Sequence, residues 1–212
     1  MGASTPAMVV QYAELAKRIG TMLSTITTGV IKSVEVAYRG TIAEFPCEAV
    51  TTAFSIGLLQ PHFDMPVNIV NVGLLAKERG ISIDQVKNPE AKNVESSFTA
   101  KVVTDKVTRT ICGTVFAENV LRVIEVDDFK IEVATEGTML VIFNEHKPGV
   151  IGSVGTICGK HGINICTMGV GQKPAQGKAI LAVTLDKQPS KEVVAELSKL
   201  DFVNEIYVCK LN

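Results

Sequence analysis

Hydrophobic positions along this chain switch between helical spacing and strict alternation, and the switches outline its elements. Between residues 8 and 28 the apolar side chains Val9, Tyr12, Leu15, Ala16, Ile19, Met22, Leu23 and Ile26 recur every three or four positions. That spacing predicts a helix with one buried face, closed by Gly29. Residues 33–38 alternate apolar and polar, as a half-buried strand does, and Arg39 and Gly40 turn the chain. Helical periodicity returns over 46–59 and 68–79, with Gly80 placed to close the second of these helices. A short strand is expected over 81–86. Residues 96–103, 107–116 and 120–126 then read as three antiparallel strands, with a hairpin at Asp105 and Lys106 and a turn at Asp127 and Asp128.

A second pattern begins near residue 138. Its expected order is strand (138–144), helix (149–161), strand (163–170), a turn rich in Gly, Pro and Gln (171–177), strand (178–185), helix (190–200) and strand (203–210). That is β-α-β-β-α-β, the ferredoxin-like order, with helices layered on a four-stranded sheet. The fold class expected is α+β: residues 1–7 as a linker remnant, 8–134 as an α/β domain and 135–212 as the β-α-β-β-α-β domain.

Composition narrows the function. Apolar residues make up 46% of the 212, charged residues 20%, and the formal net charge is −1. No basic block points to nucleic acid or to a membrane surface, and no apolar run is long enough to span a bilayer. The N-terminus lacks the basic and apolar regions of a secretory signal, and Pro6 stands where a myristoylation pattern wants Ser or Thr. Cys47, Cys112, Cys158, Cys166 and Cys209 form no CxxC pair and sit in apolar segments. They read as buried thiols in a reducing cytoplasm.

Familiar catalytic patterns are missing. Gly169-Val170-Gly171 leads into Gln172-Lys173-Pro174 rather than a helix, so it is no dinucleotide fingerprint. His62, His146 and His161 lack the spacing of a helical metal pair. His62 reads as a surface loop residue, and His161 as a cation at a helix C-terminus. No nucleophile, base and orienter come together, and neither a cofactor nor a metal is expected in this chain.

The stretch 138–152 offers binding chemistry instead. A buried strand runs into a polar turn closed by Pro148-Gly149, and a helix follows. Pro148 is suited to the first helical turn, and Gly149 permits close backbone approach. The helix opens with free N–H groups and a partial positive charge, which suit a carboxylate. With the side chains of Asn144 and His146 alongside, the turn forms a cradle for a small amino acid.

These residues also carry a resemblance. Asn144-x-His146-x-Pro148-Gly149-Val150-Ile151-Gly152, Val154-Gly155-Thr156-Ile157, His161-Gly162-Ile163-Asn164-Ile165 and Met168-Gly169-Val170-Gly171 resemble the ACT domain of D-3-phosphoglycerate dehydrogenases. Upstream, Tyr12-x-x-Leu15-Ala16-x-x-x-Gly20, Val34-Glu35-Val36-x-Tyr38-x-Gly40, Val67-Asn68-x-Val70-Asn71 and Leu75-Ala76-x-Glu78-Arg79-Gly80-Ile81 are similar to that family's intervening, allosteric substrate-binding domain. The resemblance runs in order over almost the whole chain.

It implies a regulatory role: the C-terminal half of an enzyme whose catalytic half, with its NAD, lies elsewhere. Family members oxidise 3-phosphoglycerate in serine synthesis, and their paired ACT domains bind L-serine at the interface. The effector positions fall on Asn144, His146 and Asn164, with the N–H groups near Val150 and Ile151. His146 departs from the family, where Asp or Asn is common. A neutral imidazole accepts from an ammonium and a protonated one repels it, so effector binding is expected to weaken in acid. The partners implied are L-serine or a similar amino acid, a second copy in a dimer or tetramer, and the catalytic half. In the intervening domain Arg39, Arg79, Arg109 and Arg122 are anion candidates by charge, with surface solvation the plainer reading.

Two alternatives stand beside this. The β chain of iron–sulfur L-serine dehydratase is similar in layout, but its N-terminal Ser-rich loop carries a His, whereas no His precedes His62 here. A free-standing amino-acid sensor acting in trans is the other.

Overall fold

The computed structural model describes residues 6–117 and 119–211, in two compact units, Met1–Asp128 and Phe129–Asn212. The fold is mixed α and β with two sheets. Of the expected linker at 1–7, residues 1–5 lie outside the described residues, and Ala7 already belongs to the first helix.

In the first unit, α1 (Ala7–Ile26) buries the whole apolar stripe from Val9 to Ile26. It packs against α2 (Glu48–Leu59) at a glycine contact. A Cβ on Gly20 would stand 2.3 Å from the Phe54 carbonyl oxygen, and one on Gly57 would stand 1.9 Å from that of Lys17. Only hydrogens fit there, so the helix backbones nearly touch. Five strands pair in the order β2-β1-β3-β4-β5: β1 (Ile31–Gly40), β2 (Ile83–Asn88), β3 (Ser96–Thr104), β4 (Thr108–Phe116) and β5 (Val120–Val126). β2 runs parallel to β1 after a helical crossover, and the other pairs are antiparallel. Both helices rest on this sheet: α1 at Gly113 through Leu15 and Ile19, α2 through a cluster of Phe54, Phe98 and Tyr38 rings. The Tyr38 hydroxyl is 2.6 Å from Thr51 Oγ1, and burial pushes the phenol well above its ordinary range.

α3 (Val72–Glu78) is shorter than the periodicity over 68–79 predicts. Asn68 Oδ1 accepts from the Val70 N–H at 2.9 Å and Asn71 Oδ1 from the Asn68 N–H at 2.8 Å. These local bonds hold the segment in turns that compete with a helix. Gly80, at φ 66°, closes α3 as expected. Arg109 corrects the solvation reading. It is 6% exposed, Nη1 lies 2.8 Å from Asp127 Oδ2, and Nε donates to the Ile26 carbonyl at the end of α1.

Asp127 and Asp128 both take positive φ, 47° and 61°, a reversal that short Asx side chains tolerate. After it comes β6 (Phe129–Ala134), a strand the sequence reading left inside the first domain without assigning it. It falls in the second unit, where it packs over β8 (Ile165–Lys173). A Cβ on Gly169 would fall 2.4 Å from Val133, and one on Gly171 2.9 Å from the Lys130 carbonyl.

The second unit continues β7 (Gly137–Glu145), α4 (Val150–Lys160), β8, β9 (Lys178–Leu185), α5 (Lys191–Ser198) and β10 (Val203–Leu211). Its sheet runs β10-β7-β9-β8, antiparallel throughout. The core between helices and sheet holds Leu140, Ile142, Val154, Leu181, Val183 and Leu197, all at most 1% exposed. His161 caps α4 and bonds Glu196 of α5 at 2.7 Å, with Lys160 on the same carboxylate at 2.9 Å. The cysteine reading needs one correction. Cys47, Cys158 and Cys209 are buried, but Cys112 is half-buried and Cys166 exposed, because β8 lies at the end of the sheet order.

Candidate functional site

Strand β7 is buried from Met139 to Asn144, and the chain leaves it in a turn tied to its neighbours. The Glu145 N–H donates to the Phe202 carbonyl and the His146 N–H to the Gly177 carbonyl, each at 2.9 Å. Gly149 caps α4 with φ 89°, and Pro148 stands one residue before the cap rather than in the first helical turn. A Cβ on Gly149 would meet nothing within 4 Å. The glycine is there for its left-handed backbone, not for lack of room. No side chain caps α4, so its first N–H groups have no capping acceptor.

Asn144 is 2% exposed. Its Nδ2 donates to the Glu145 carbonyl at 2.7 Å, while Oδ1 is buried with no hydrogen-bond partner. Buried amide oxygens are nearly always paired, so this acceptor is out of the ordinary. Asn144 lines a cavity of about 310 Å3 together with His146, Gly149, Val150 and Ile151. Val150 is buried, whereas Ile151 is 50% exposed. One wall is apolar, from Val170 and Leu181, and Gln172 stands among the lining residues. The arrangement presents amide and imidazole groups and the positive end of a helix around one small space. That chemistry suits a molecule bearing a carboxylate and a hydrogen-bond donor.

Gln172 is the residue that sequence reasoning missed. The segment 171–177 reads as a turn, but β8 continues to Lys173. Val170 and Gln172, two apart on a strand, therefore share a face. Continuing the alternation past Gly171 would have found it.

One chain brings Asn144, His146, Val150 and Ile151 together but leaves Asn164 elsewhere. Asn144 aligns with Ala179 and through it with Gln172, whereas Asn164 precedes Ile165, which aligns with Leu185 and Thr138. Those rows are about 20 Å apart along the strands. There Asn164 grips Asp186, with its N–H 3.0 Å from Oδ1 and its Nδ2 2.9 Å from Oδ2. Burial works to raise the Asp186 carboxyl, but the two Asn164 bonds and Lys187 outweigh it and hold the group below its ordinary value. Among the described residues, no group of three or more His, Cys, Asp or Glu could hold a metal ion, and no helix is long and apolar enough to cross a membrane.

Comparison with known proteins decides the family. Residues 8–127 match the model of the D-3-phosphoglycerate dehydrogenase intervening domain. The chain belongs to this family. It is 34% identical over 194 residues to D-3-phosphoglycerate dehydrogenase of Bacillus subtilis, covering 92% of this chain and 37% of that protein. The enzyme of the same name from Archaeoglobus fulgidus is 33% identical over 201 residues, covering 93% and 38%. That of a Synechocystis species is 30% identical over 201 residues, covering 94% and 36%. The chain thus spans little more than a third of the length of the curated relatives it matches.

Proposed function

We propose that this chain is the effector-binding, regulatory part of a D-3-phosphoglycerate dehydrogenase, with the second unit a ferredoxin-like ACT domain that senses L-serine. The observation that carries the reading is the buried, unpartnered Oδ1 of Asn144 beside an uncapped helix N-terminus. An α-amino acid complements both. Its carboxylate takes the N–H groups of Val150 and Ile151. Its ammonium donates to Asn144 Oδ1 and to a ring nitrogen of His146, and Gln172 is available to the serine hydroxyl.

The distance to Asn164 is a consequence of symmetry in this reading. β8 ends the sheet order, so one of its edges has no strand neighbour in that sheet. Two copies joined antiparallel through that edge set the Ile165 end of one β8 opposite the Lys173 end of the other. Asn164 of each copy then completes the cavity beside Asn144 of its mate. A ligand bound across such a seam favours one arrangement of the two copies, and so reaches an active site elsewhere in the enzyme.

Calorimetric titration of the chain with L-serine tests this, with glycine and 3-phosphoglycerate as comparisons. Saturable serine binding is expected, lost in Asn164→Ala and accompanied by dimers in light scattering. Serine binding to a concentration-independent monomer would sink the shared site.

A further inference from the structure

The first unit holds a cavity that the serine reading does not use. It lies where the end of α1 meets α2, the single helical turn Gln60–His62 and the start of β1, and its volume is about 180 Å3. Four polar side chains line it: Ser24, Thr27, His62 and Arg79. Ser24 Oγ and His62 Nε2 are 3.0 Å apart. The Arg79 guanidinium lies over the Phe63 ring, 4.7 Å from its centroid, with no carboxylate partner among the described residues. Thr27 Oγ1 is buried without a hydrogen-bond partner. The remaining wall is apolar, with Leu58, Ile81 and Val102 prominent.

We propose that this cavity binds a small monocarboxylate with a short aliphatic body, its carboxylate on Arg79 and His62 and its chain against Leu58 and Val102. A guanidinium stacked on an aromatic ring keeps its N–H edge free for a planar carboxylate. Burial, and then the charge of Arg79, hold His62 below its ordinary value, so the ring is neutral and offers one N–H and one acceptor. With Ser24 on one ring nitrogen, the other is left for the ligand. Size excludes larger molecules, since pockets for drug-sized ligands begin at roughly 300 Å3. Charge favours a carboxylate over a phosphate ester: one cation in the lining matches one negative charge and leaves the second of a dianion unmatched. Arg79 is thereby separated from Arg109, whose charge is committed to Asp127.

The test is an NMR titration of the full chain with sodium butyrate, read at the histidine ring protons, with inorganic phosphate in parallel. The chain has three histidines, so His146 and His161 serve as internal references. Saturable movement of the His62 resonances by butyrate is expected, with phosphate weaker. Arg79→Gln should weaken butyrate about tenfold or more, the loss of a charge-assisted pair. Arg79 is exposed, so the variant keeps the fold, and an unchanged spectrum without ligand checks this. Absence of a saturable His62 response overturns the proposal. So does a response that survives Arg79→Gln, or phosphate binding as tight as butyrate.

Discussion

The two ends of the second sheet carry the same side chain in opposite states. At one end Asn144 is buried, bonded through its nitrogen and left with an open oxygen. At the other, Asn164 is exposed and engaged through side chain and backbone with one carboxylate. Identical chemistry thus yields a vacant acceptor where the chain enters an uncapped helix, and a closed clamp where two strands end. A residue type names a capacity; within one copy the fold leaves it open at Asn144 and commits it to Asp186 at Asn164.

The contrast can be broken most forcefully at Asn144. Asn144→Leu removes the open acceptor, and serine affinity should fall by about 1.5–3 kcal/mol, a ten- to hundredfold rise in Kd by calorimetry. Thermal stability should change far less, since the burial mismatch disappears with the polar group. Gly149→Ala comes next. A Cβ there has space but the backbone is left-handed, so a cost of about 1–2 kcal/mol in urea unfolding is expected, with weaker serine binding as the helix start shifts. At the other end, Asn164→Ala removes the Nδ2 bond to Asp186 and leaves the backbone one. Because the folded state lowers that carboxyl, its stabilisation is present above the ordinary carboxylate range and is lost as pH falls through the lowered value. The stability gap between wild type and Asn164→Ala, by urea melts, should therefore be open at neutral pH and close in acid. A gap that persists in acid would mean that the clamp does not act through charge. Lys160→Ala should matter least, because its pair with Glu196 is solvent-exposed, and the melting temperature should stay within about a degree.

Much of this was legible in the pattern of the chain. The α1 stripe is buried residue for residue, and the β-α-β-β-α-β order appears in full, because period 3.6 and period 2 are direct records of which face is dry. Asn144, His146, Val150 and Ile151 are close in sequence, so their meeting is local geometry. What sequence could not show was longer in range. Arg109 finds Asp127 eighteen positions away, and nothing local separates it from a surface arginine. Strand β6 was missed although Phe129, Ile131 and Val133 alternate, and the side-chain-free surface of Gly169 and Gly171 that it packs on lies far along the sequence. The asparagines ahead of α3, Asn68 and Asn71, show the opposite failure: periodicity promised helix, and two side-chain hydrogen bonds kept a turn.

That glycine-backed strand bears on how such a unit can be moved between proteins. A recombination joint placed after Ala134, where the sequence pattern divides the domains, would deliver the second sheet with a bare hydrogen-lined trough along β8 and without β6 to fill it. A joint ahead of Phe129 carries the filling with it. Glycine at 169 and 171 therefore ties the mobility of the second unit, as an evolutionary cassette, to six residues that precede its first sheet strand.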